Sequence, residues 1–312
     1  MEKTTSKMKI SIIGRGSQSK RIQKILKKKK KSFFIYRPDK NNKKNEQELN
    51  NSQIIFICSP NNTHYKYIKK FEKKNLYLFC EKPPVTNLDN LKNLKKKNFE
   101  KIYFNYNMRF SELGKIFSNL KKHKLGVLLS GYFNSSKGLA FKKEYRQNWR
   151  SKKNKCMTGV YELVSIHIVD LLNYYFDIKE VLKPRLTNHL KTGTSYDNSS
   201  VDLILKNQGK ITVYSSYTGP YSKDCLLVFE NGLINVSNNI IEIRGPRNNF
   251  DKNNNFIYPK LIKKIKISPL EDYNNSLEKS VNYFLNHAEK KKKFKKKEFT
   301  TSLKSNYLIL KY

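Results

Sequence analysis

The sequence predicts an α/β fold in two parts: an N-terminal domain with a parallel sheet, then an α+β domain with a mainly antiparallel sheet. Two observations lead to this prediction. Over about the first hundred residues, apolar strand-like segments alternate with polar helical segments, which is typical of a parallel sheet with crossover helices. Within residues 181–244, strand-like segments follow one another without helices between them, which favours antiparallel pairing with helices on one face.

The first strand ends in a glycine turn. Residues 8–22 read Met-Lys-Ile-Ser-Ile-Ile-Gly-Arg-Gly-Ser-Gln-Ser-Lys-Arg-Ile, an apolar run followed by Gly14-x-Gly16 and the start of a helix. Strand, turn and helix in this order are the context in which a glycine motif binds the pyrophosphate of a dinucleotide. We therefore expect a cofactor turn here, although the motif alone is also compatible with an ordinary strand-to-helix connection.

The remaining N-terminal elements follow the same alternation. Residues 53–58 form a continuous apolar run, as expected for a strand covered on both faces. The loop Ser59-Pro60-Asn61-Asn62-Thr63-His64 follows it and lies at the carboxyl edge of the predicted sheet, where ligands bind in open α/β folds. The predicted strands are Ile10–Ile13, Phe33–Tyr36, Ile54–Cys58, Tyr77–Cys80 and Ile102–Tyr106. The predicted helices are Ser19–Lys29, His64–Lys74 and Asn87–Lys97.

The pattern changes from about Arg109 onward. Asn231-Gly232 separates two strand-like segments and predicts a hairpin turn. The predicted helices are Glu112–Lys122, Gly159–Phe176 and Ser276–Lys290. The predicted strands are Leu125–Phe133, Ser200–Leu205, Lys210–Ser216, Leu226–Glu230 and Ile240–Arg244. We place the domains at residues 1–108 and 109–312, since 312 residues suffice for two cores.

Composition favours a cytoplasmic protein. The N-terminal segment Met1–Lys9 is polar and does not resemble a secretory signal, and no apolar run reaches the length of a membrane span. The four cysteines are far apart and form no Cys-x-x-Cys pair, so they suit a reducing compartment and give no evidence of a metal site or a disulfide framework.

The formal net charge of +39 raises the possibility of nucleic-acid binding. Against it, only nine of the 64 basic residues are arginine, the side chain suited to bidentate phosphate and base contacts. The chain also contains only two alanines, a bias typical of AT-rich coding sequence, which places lysine and asparagine on tolerant surfaces. We therefore expect no specific nucleic-acid partner, and a surface that attracts anionic ligands.

A further motif, Cys80-Glu81-Lys82-Pro83, follows a later strand of the same domain and would put an amine at the mouth of the dinucleotide site. An ammonium in that position can hydrogen-bond a substrate oxygen and stabilise alkoxide character during hydride transfer. In a chain so rich in lysine, a surface role is the default for any single lysine, and only the Glu-Lys-Pro context raises Lys82 above it.

Together, these motifs resemble the Gfo/Idh/MocA family of NAD(P)-dependent oxidoreductases over nearly the whole chain. The resemblance implies an N-terminal Rossmann domain and a C-terminal domain whose large, mainly antiparallel sheet often mediates homo-oligomerisation. It also implies oxidation or reduction of a hydroxyl or keto carbon on a sugar, nucleotide sugar or related polyol. The motifs in family order are Ile12–Ser17, Ser59–His64, Glu81-Lys82-Pro83, Asn107–Phe110, Trp149-Arg150, and Gly159 through His167 to Asp170.

The resemblance implies a set of cofactor-binding residues in the first domain. Ser19 replaces the third glycine of the fingerprint and is small enough for close packing. His64 is interpreted as packing the cofactor loop rather than as a catalyst, and Glu81 as orienting the cofactor ribose and Lys82. The cofactor residues are Gly14, Gly16, Ser17, Gln18, Tyr36, Arg37, Ser59, Pro60, Asn61, His64 and Glu81.

The end of the second strand indicates which nicotinamide cofactor is used. An NAD site commonly has an acidic residue about 20 residues after the glycines, on the ribose hydroxyls. Here Tyr36 and Arg37 occupy that place, and a guanidinium suits a 2′-phosphate, so NADP is preferred over NAD. Arg37 is alternatively an ordinary exposed arginine, and Asp39 could reach the ribose instead.

By resemblance, Lys82 and His167 are the catalytic residues, with His167 transferring a proton near the substrate carbon. The alternative for His167 is a partly buried histidine that is bonded within its helix. Four residues earlier, where many family members carry an aspartate, this chain has Leu163. On an α-helix Glu162 is rotated by roughly 100° from that position and cannot simply replace it. Either the acid comes from elsewhere, or Lys82 and His167 suffice, or the site is altered.

The substrate pocket is also implied by resemblance. Arg109 could bind a carboxylate or phosphate, and a structural ion pair is an equal alternative. If the site is altered, the protein would instead be a cofactor-binding sensor or complex partner without catalysis. The implied substrate-binding residues are Asn107, Arg109, Trp149, Arg150 and Glu162.

Overall fold

The computed structural model describes residues 8–38, 43–98, 100–247 and 249–312, and the chain divides into two units. The first unit contains the described residues up to Asn107 together with Leu277–Leu310. The second contains Met108–Ser276 and Lys311–Tyr312. This differs from the predicted division, which placed residues 109–312 in one domain, because apolar side chains of residues 277–310 pack on strands of the first unit.

The first unit is built on a five-stranded parallel sheet. Its strands are β1 (Ile10–Ile13), β2 (Phe34–Tyr36), β3 (Ile54–Ile57), β4 (Tyr77–Glu81) and β5 (Ile102–Asn105). They are ordered β2-β1-β3-β4-β5, and every residue of β1, β3, β4 and β5 is buried. Such continuous burial follows from the unbroken apolar runs in the sequence. The parallel register brings the carboxyl ends of β1, β3 and β4 to one edge.

Among the helices of the described residues, the second and the last were not predicted from the sequence. Phe284, on the seventh helix, places its ring 5.2 Å from that of Phe56 and 5.3 Å from that of Phe79, so the last residues complete the core of the first unit. The helices are α1 (Ser17–Lys28), α2 (Lys43–Asn50), α3 (His64–Phe71), α4 (Leu88–Lys95), α5 (Glu112–Ser118), α6 (Ile166–Phe176), α7 (Pro269–Glu289) and α8 (Lys296–Leu310).

The second unit contains a nine-stranded, mainly antiparallel sheet, which confirms the predicted fold class. One neighbouring pair, Leu128–Ser136 with Lys210–Ser216, is parallel. The predicted hairpin at Asn231-Gly232 joins two antiparallel strands. The strands are β6 (Leu128–Ser136), β7 (Ile178–Val181), β8 (Arg185–Thr187), β9 (Asn198–Leu205), β10 (Lys210–Ser216), β11 (Ser222–Phe229), β12 (Gly232–Ser237), β13 (Ile240–Arg244) and β14 (Leu261–Lys266).

The sheet of the second unit has one buried face. Residues of β9 alternate between half-buried and buried along the whole strand, which is the period-two pattern of a sheet covered on one side. All four cysteines are buried thiols. Across the described ranges, no helix combines the length and apolar character needed to cross a membrane.

Candidate functional site

The glycine turn after β1 lies against the end of β3. Gly14 has a φ of +109°, and a Cβ atom there would lie 2.5 Å from the carbonyl oxygen of Cys58. Any side chain would therefore clash with the backbone as well as strain the turn, so only glycine fits this position. The predicted turn has the close backbone approach that a dinucleotide motif requires.

Helix α1 begins directly after Gly16, whose side-chain position is open. Gly16 is the N-cap, no side chain caps the helix, and the first turn contains no acidic residue. A Cβ atom on Gly16 would meet no atom within 4 Å, so the space before the helix could admit a ligand. The first N–H groups of Ser17 and its successors, together with the positive end of the helix dipole, favour an anion there.

Ser19, in place of the third glycine, fits without loss of packing. Its side chain is fully buried, and its hydroxyl donates to the carbonyl oxygen of Gly14 at 2.8 Å. Gln23 in turn donates to the Ser19 hydroxyl at 3.0 Å. The serine therefore ties α1 to the glycine turn by a side-chain bond that glycine could not make.

The two candidate cofactor residues at the end of β2, Tyr36 and Arg37, have different surroundings. Tyr36 is buried, and its hydroxyl donates to the carboxylate of Glu46 on α2, which also accepts a hydrogen bond from Lys70. Burial, reinforced by Glu46, raises the pKa of Tyr36. Arg37 is exposed, and it forms no hydrogen bond or ion pair with another described residue. Asp39 lies outside the described residues.

His64 links two loops at the carboxyl edge of the sheet. Its ring is fully buried, with Nδ1 2.8 Å from the carbonyl oxygen of Pro83 and Nε2 3.0 Å from that of Ser59. Burial lowers the pKa of His64 despite these two backbone contacts, so the folded protein favours the neutral ring. The histidine therefore holds the loop after β3 against the residue that follows Lys82, which agrees with a packing role.

The loop after β3 also contains a buried donor that lacks a partner. The side-chain Nδ2 of Asn61 has no hydrogen-bond partner among the described residues, although the atom is buried. Thr63 donates to the hydroxyl of Ser59 at 2.6 Å and so closes the loop on itself, next to the exposed Pro60. An unsatisfied buried amide is costly, which is consistent with a ligand as its partner.

Glu81 anchors the motif that carries Lys82. Its carboxylate is buried and accepts a hydrogen bond from Asn105 at the end of β5, at 2.7 Å. Gln18, in the first turn of α1, provides a second side-chain bond to Glu81. Burial raises the pKa of Glu81, and the Asn105 bond and the charge of Lys82 oppose that rise.

The Asn105 contact extends into a buried polar chain within the first unit. Ser280 on α7 donates to Asn105 Oδ1 at 2.7 Å and lies 2.8 Å from the hydroxyl of Tyr103. Among the predicted first-unit residues, contacts thus link Gln18 with Glu81 and Ser59 with His64 at the carboxyl edge of the sheet, whereas no contact joins Arg37 to them. The open helix start, the clash that excludes a side chain at Gly14 and the orphaned Asn61 amide together fit a dinucleotide.

In the second unit, the segment before His167 is a π-helix rather than the predicted α-helix. It covers Tyr161–Ser165, and α6 follows it with His167, half-buried, in its first turn. The preceding Gly159 has a φ of +59°, and a Cβ atom there would lie 2.0 Å from the carbonyl oxygen of Tyr196. Only glycine therefore fits at position 159. π-Helical turns occur frequently at functional sites.

Leu163 and Glu162 leave the position of the family's aspartate without a carboxylate. Leu163 is 7% exposed and packs in an apolar cluster with Tyr145, Cys156 and Tyr217. Glu162 is buried and accepts a hydrogen bond from the hydroxyl of Thr158 at 3.1 Å. On the observed π-helix, with its i→i+5 hydrogen bonds, neighbouring residues still point in different directions, so the expectation that Glu162 cannot simply replace the acid is unchanged.

Arg109 forms the structural ion pair that the sequence left open. Its Nε and Nη2 donate to the two carboxylate oxygens of Asp170 at 2.8 and 2.6 Å, and both side chains are buried. The guanidinium also lies 4.4 Å from the ring centroid of Tyr174. With both oxygens of Asp170 engaged, this geometry favours the structural role over binding of a substrate anion.

Trp149 and Arg150 lie next to the apolar cluster around Leu163. The Arg150 guanidinium stacks 4.4 Å from the Trp149 ring and donates a long hydrogen bond of 3.4 Å to Asn148. Beside them, Tyr145 has a buried hydroxyl without a partner among the described residues, and burial raises its pKa to about 12. Asn107, the remaining predicted substrate residue, is buried in the first unit.

Sequence reasoning missed Asn105 and Tyr145. A polar residue closing the buried strand β5 at the ligand-binding edge was a usable signal for Asn105. No comparable signal marks Tyr145 in a chain with 20 tyrosines. Within the described ranges, no group of three or more histidine, cysteine, aspartate or glutamate side chains could hold a metal ion.

Part of the chain is similar in sequence to known oxidoreductases. The family model described as an oxidoreductase family with an NAD-binding Rossmann fold matches residues 8–101. A curated relative is glucose-6-phosphate 3-dehydrogenase of Bacillus subtilis (strain 168), 24% identical over 156 residues. That match covers 47% of this chain and 44% of the relative, so it spans less than half of either protein.

Solved structures share the fold over nearly the whole chain. An oxidoreductase from Agrobacterium radiobacter, solved with NAD+, L-tartaric acid and magnesium, has a TM-score of 0.75 at 16% identity and covers 97% of this chain and 94% of its own. Levoglucosan dehydrogenase in complex with NADH has a TM-score of 0.78 at 11% identity, with coverage of 97% and 95%. At these identities, the structures establish the fold alone. The family match therefore assigns residues 8–101 to an oxidoreductase family with an NAD-binding Rossmann fold, and the solved structures extend the shared fold to nearly the whole chain.

Proposed function

We propose that this protein is an NAD(P)-dependent oxidoreductase that acts on a hydroxyl or keto carbon of a sugar, nucleotide sugar or related polyol. The observation that carries the proposal is the polar network around Glu81, next to the glycine turn. Glu81 holds Asn105 and Gln18, and His64 holds the residue after Lys82. These contacts hold the residues on both sides of Lys82 at the ligand-binding edge of the sheet, where an amine suits hydride-transfer chemistry.

Residues of the first unit would hold the cofactor. The N–H groups at the start of α1 would bind the pyrophosphate, with Gly14 and Gly16 allowing the close approach. Asn61 would donate its orphaned amide hydrogen to the same ligand. When bound, the nicotinamide supplies the hydride acceptor or donor.

Lys82 and His167 would divide the remaining chemistry. In the oxidising direction, Lys82 as an ammonium donates a hydrogen bond to the reacting oxygen and stabilises its developing negative charge. His167 as a neutral imidazole accepts the hydroxyl proton, and in the reducing direction it returns that proton to the oxygen. Trp149, Arg150 and Glu162 would contact the substrate, whereas Arg109 supports the scaffold through Asp170.

The preference for NADP rests on Arg37. Its guanidinium is exposed and forms no ion pair with another described residue, so it could bind a 2′-phosphate. We expect Arg37→Ser to weaken NADPH binding about tenfold and to leave NADH binding within about twofold, as for loss of one charge-assisted contact. Fluorescence titration at moderate salt measures both constants. Equal weakening of NADPH and NADH would contradict the assignment of Arg37 to the 2′-phosphate.

The substrate class is tested by turnover. Sugars, sugar phosphates and nucleotide sugars are screened by NAD(P)H absorbance against wild-type protein and Lys82→Ala. A substrate turned over by the wild type and not by the variant supports the proposal.

A second candidate function, a cofactor-binding sensor without catalysis, is favoured by one observation, the leucine in the apolar cluster where the family acid would be. Turnover of any sugar or polyol would exclude it.

The protein is further proposed to be a homo-oligomer in the cytoplasm. Exposed apolar side chains on β6 and β10, among them Leu129, Tyr132 and Tyr214, support a homo-oligomer formed through the sheet of the second unit. Four buried free thiols are compatible with the proposed reducing, cytoplasmic environment. Sedimentation of the purified protein would test the oligomeric state, and a monomer at micromolar concentration would contradict it.

A further inference from the structure

A cavity in the second unit is lined by none of the residues to which the oxidoreductase reaction is assigned. Its volume is about 680 Å³, and it is lined by Arg146 with residues 151–154 and by residues 191–194. A cavity of this size lies within the range of small-molecule sites. Four cationic side chains line it, those of Arg146, Lys152, Lys153 and Lys191.

Hydrogen bonds fix the two segments against each other. The carbonyl oxygen of Ser151 accepts the N–H groups of Thr194 at 2.7 Å and of Ser195 at 2.9 Å. The N–H of Lys153 donates to the hydroxyl oxygen of Thr194 at 2.9 Å. A Cβ atom on Gly193 would lie 2.4 Å from Ser151 O, so the segments touch at a position that only glycine allows. The walls of the cavity are therefore constrained by the backbone.

The four cations of the cavity have no counter-ion in the part of the chain that the structure describes. None of them forms an ion pair with a described carboxylate, whereas other lysines of this unit do, for example Lys210 with Asp202 at 2.7 Å. Isolated exposed lysines need no explanation in this lysine-rich chain. Four cations around one cavity repel one another, and that repulsion is relieved by an anion placed among them.

A polar group of the cavity wall is also unsatisfied. The hydroxyl oxygen of Thr192 is buried and has no hydrogen-bond partner among the described residues. A buried hydroxyl without a partner is unusual, since such groups are nearly always bonded. Rotation about its first side-chain bond would turn this hydroxyl toward a ligand in the cavity.

From these observations we infer that this cavity binds the phosphate group of a small phosphorylated molecule. Phosphate carries up to two charges on several acceptor oxygens, so it can engage several ammonium groups, the guanidinium and a hydroxyl together, whereas a carboxylate offers one charge and two oxygens. The phosphate belongs either to the sugar substrate or to a separate effector. The site itself stands without the proposed oxidoreductase function, and only its assignment to the substrate rests on that function.

The test is calorimetric titration of the whole protein with sodium pyrophosphate, without nucleotide or sugar, at about 150 mM salt to screen the general surface charge. The cavity variant is Lys152→Glu with Lys191→Glu. The matched control is Lys252→Glu with Lys263→Glu, which makes the same charge change at exposed positions of the same unit outside the cavity. Circular dichroism verifies that each variant is folded.

We expect pyrophosphate affinity at the cavity to be more than about tenfold weaker in the cavity variant and within about twofold of wild type in the control, with any uptake at the start of α1 the same in both variants. Thr192→Val keeps charge and shape and should weaken binding about fivefold through loss of one hydrogen bond. If the double variant does not fold, the affinity of Thr192→Val for pyrophosphate tests the inference by itself. Absence of saturable binding, or equal weakening by the cavity and control variants, would overturn the inference.

The source of the phosphate is decided with the turnover assay. Competition between pyrophosphate and a phosphorylated sugar assigns the phosphate to the substrate. A change of rate without competition assigns it to a separate effector. Either pattern supports the site, and calorimetric binding remains interpretable even if no substrate is turned over.

Discussion

The surroundings of Lys82 and those of His167 differ in how completely the polar groups expected of the family are present. Around Lys82, Glu81 and His64 are both buried and hydrogen-bonded to neighbouring elements. In the segment before His167, the position of the expected acid is Leu163, packed among apolar side chains. The groups that the resemblance implies beside Lys82 are present and hydrogen-bonded, whereas a leucine occupies the position before His167 where the resemblance implies an acid. Cofactor binding and catalysis can therefore be tested separately in this chain.

The largest expected effect is on catalysis at Lys82. Lys82→Ala should lower kcat by roughly a thousandfold, because removing one preorganised donor to a developing oxyanion costs about 10²–10³ and general acid–base assistance is also affected. Cofactor affinity should stay within about twofold. Lys92→Ala is the control, since that lysine is 75% exposed and pairs only loosely with Asp89 at 3.8 Å. Steady-state kinetics measure both variants, and equal rates for Lys82→Ala and wild type would remove Lys82 from the mechanism.

The next largest effect concerns stability, at the ion pair that follows His167. Asp170→Ala should reduce the free energy of unfolding by about 3–5 kcal/mol, because it leaves the buried guanidinium of Arg109 unpaired. Asp89→Ala, at an exposed pair, should cost less than about 1 kcal/mol. Urea denaturation followed by circular dichroism gives both values. A cost for Asp170→Ala as small as the control, accompanied by a raised KM, would point instead to substrate binding by Arg109.

Substitution of Leu163 tests directly whether an acid at this position would help catalysis. Leu163→Asp should destabilise the protein by about 3 kcal/mol and leave kcat unimproved, because a carboxylate would be buried in the apolar cluster without a partner. Leu163→Met, which conserves volume, should cost less than about 1.5 kcal/mol. Thermal unfolding and kinetics report the two quantities. A rise in kcat for Leu163→Asp would mean that the surroundings accommodate a functional acid at this position.

The smallest effect is a pH dependence at His64. Because burial lowers its pKa in the folded protein, the unfolded chain binds more protons between that value and about 6.5, so stability should rise with pH through this window. In acid, this contribution is lost as pH falls through the folded-state pKa. Unfolding free energies measured from pH 5 to 7 should therefore fall more steeply toward acid for wild type than for His64→Gln. Parallel curves would contradict the neutral, buried assignment.

The sequence predicted residues whose type is tied to the end of a strand, and it did not predict contacts that depend on tertiary packing. Gly14, the loop after β3 and Glu81 could be located because each combines a characteristic residue type with the end of a buried strand. The ion pair of Arg109 with Asp170 joins residues that lie far apart in sequence, so no local pattern distinguished it from a substrate contact. The π-helix before His167 was equally inaccessible, since its residues have ordinary α-helical periodicity. The return of residues 277–310 to the first unit is likewise decided by tertiary packing, including the contact of Phe284 with Phe56.

The proposed function depends first on a dinucleotide site in the first unit, and nucleotide binding reports on that site. The measurement is a fluorescence titration of the wild-type protein and of Gly14→Val with NADPH and NADH, at moderate salt. We predict saturable binding by the wild type, tighter for NADPH, and its loss in the variant, whose side chain would occupy space 2.5 Å from the Cys58 carbonyl oxygen. Circular dichroism of the variant separates lost binding from lost folding. Absence of saturable binding of either nucleotide to the wild type would contradict the account.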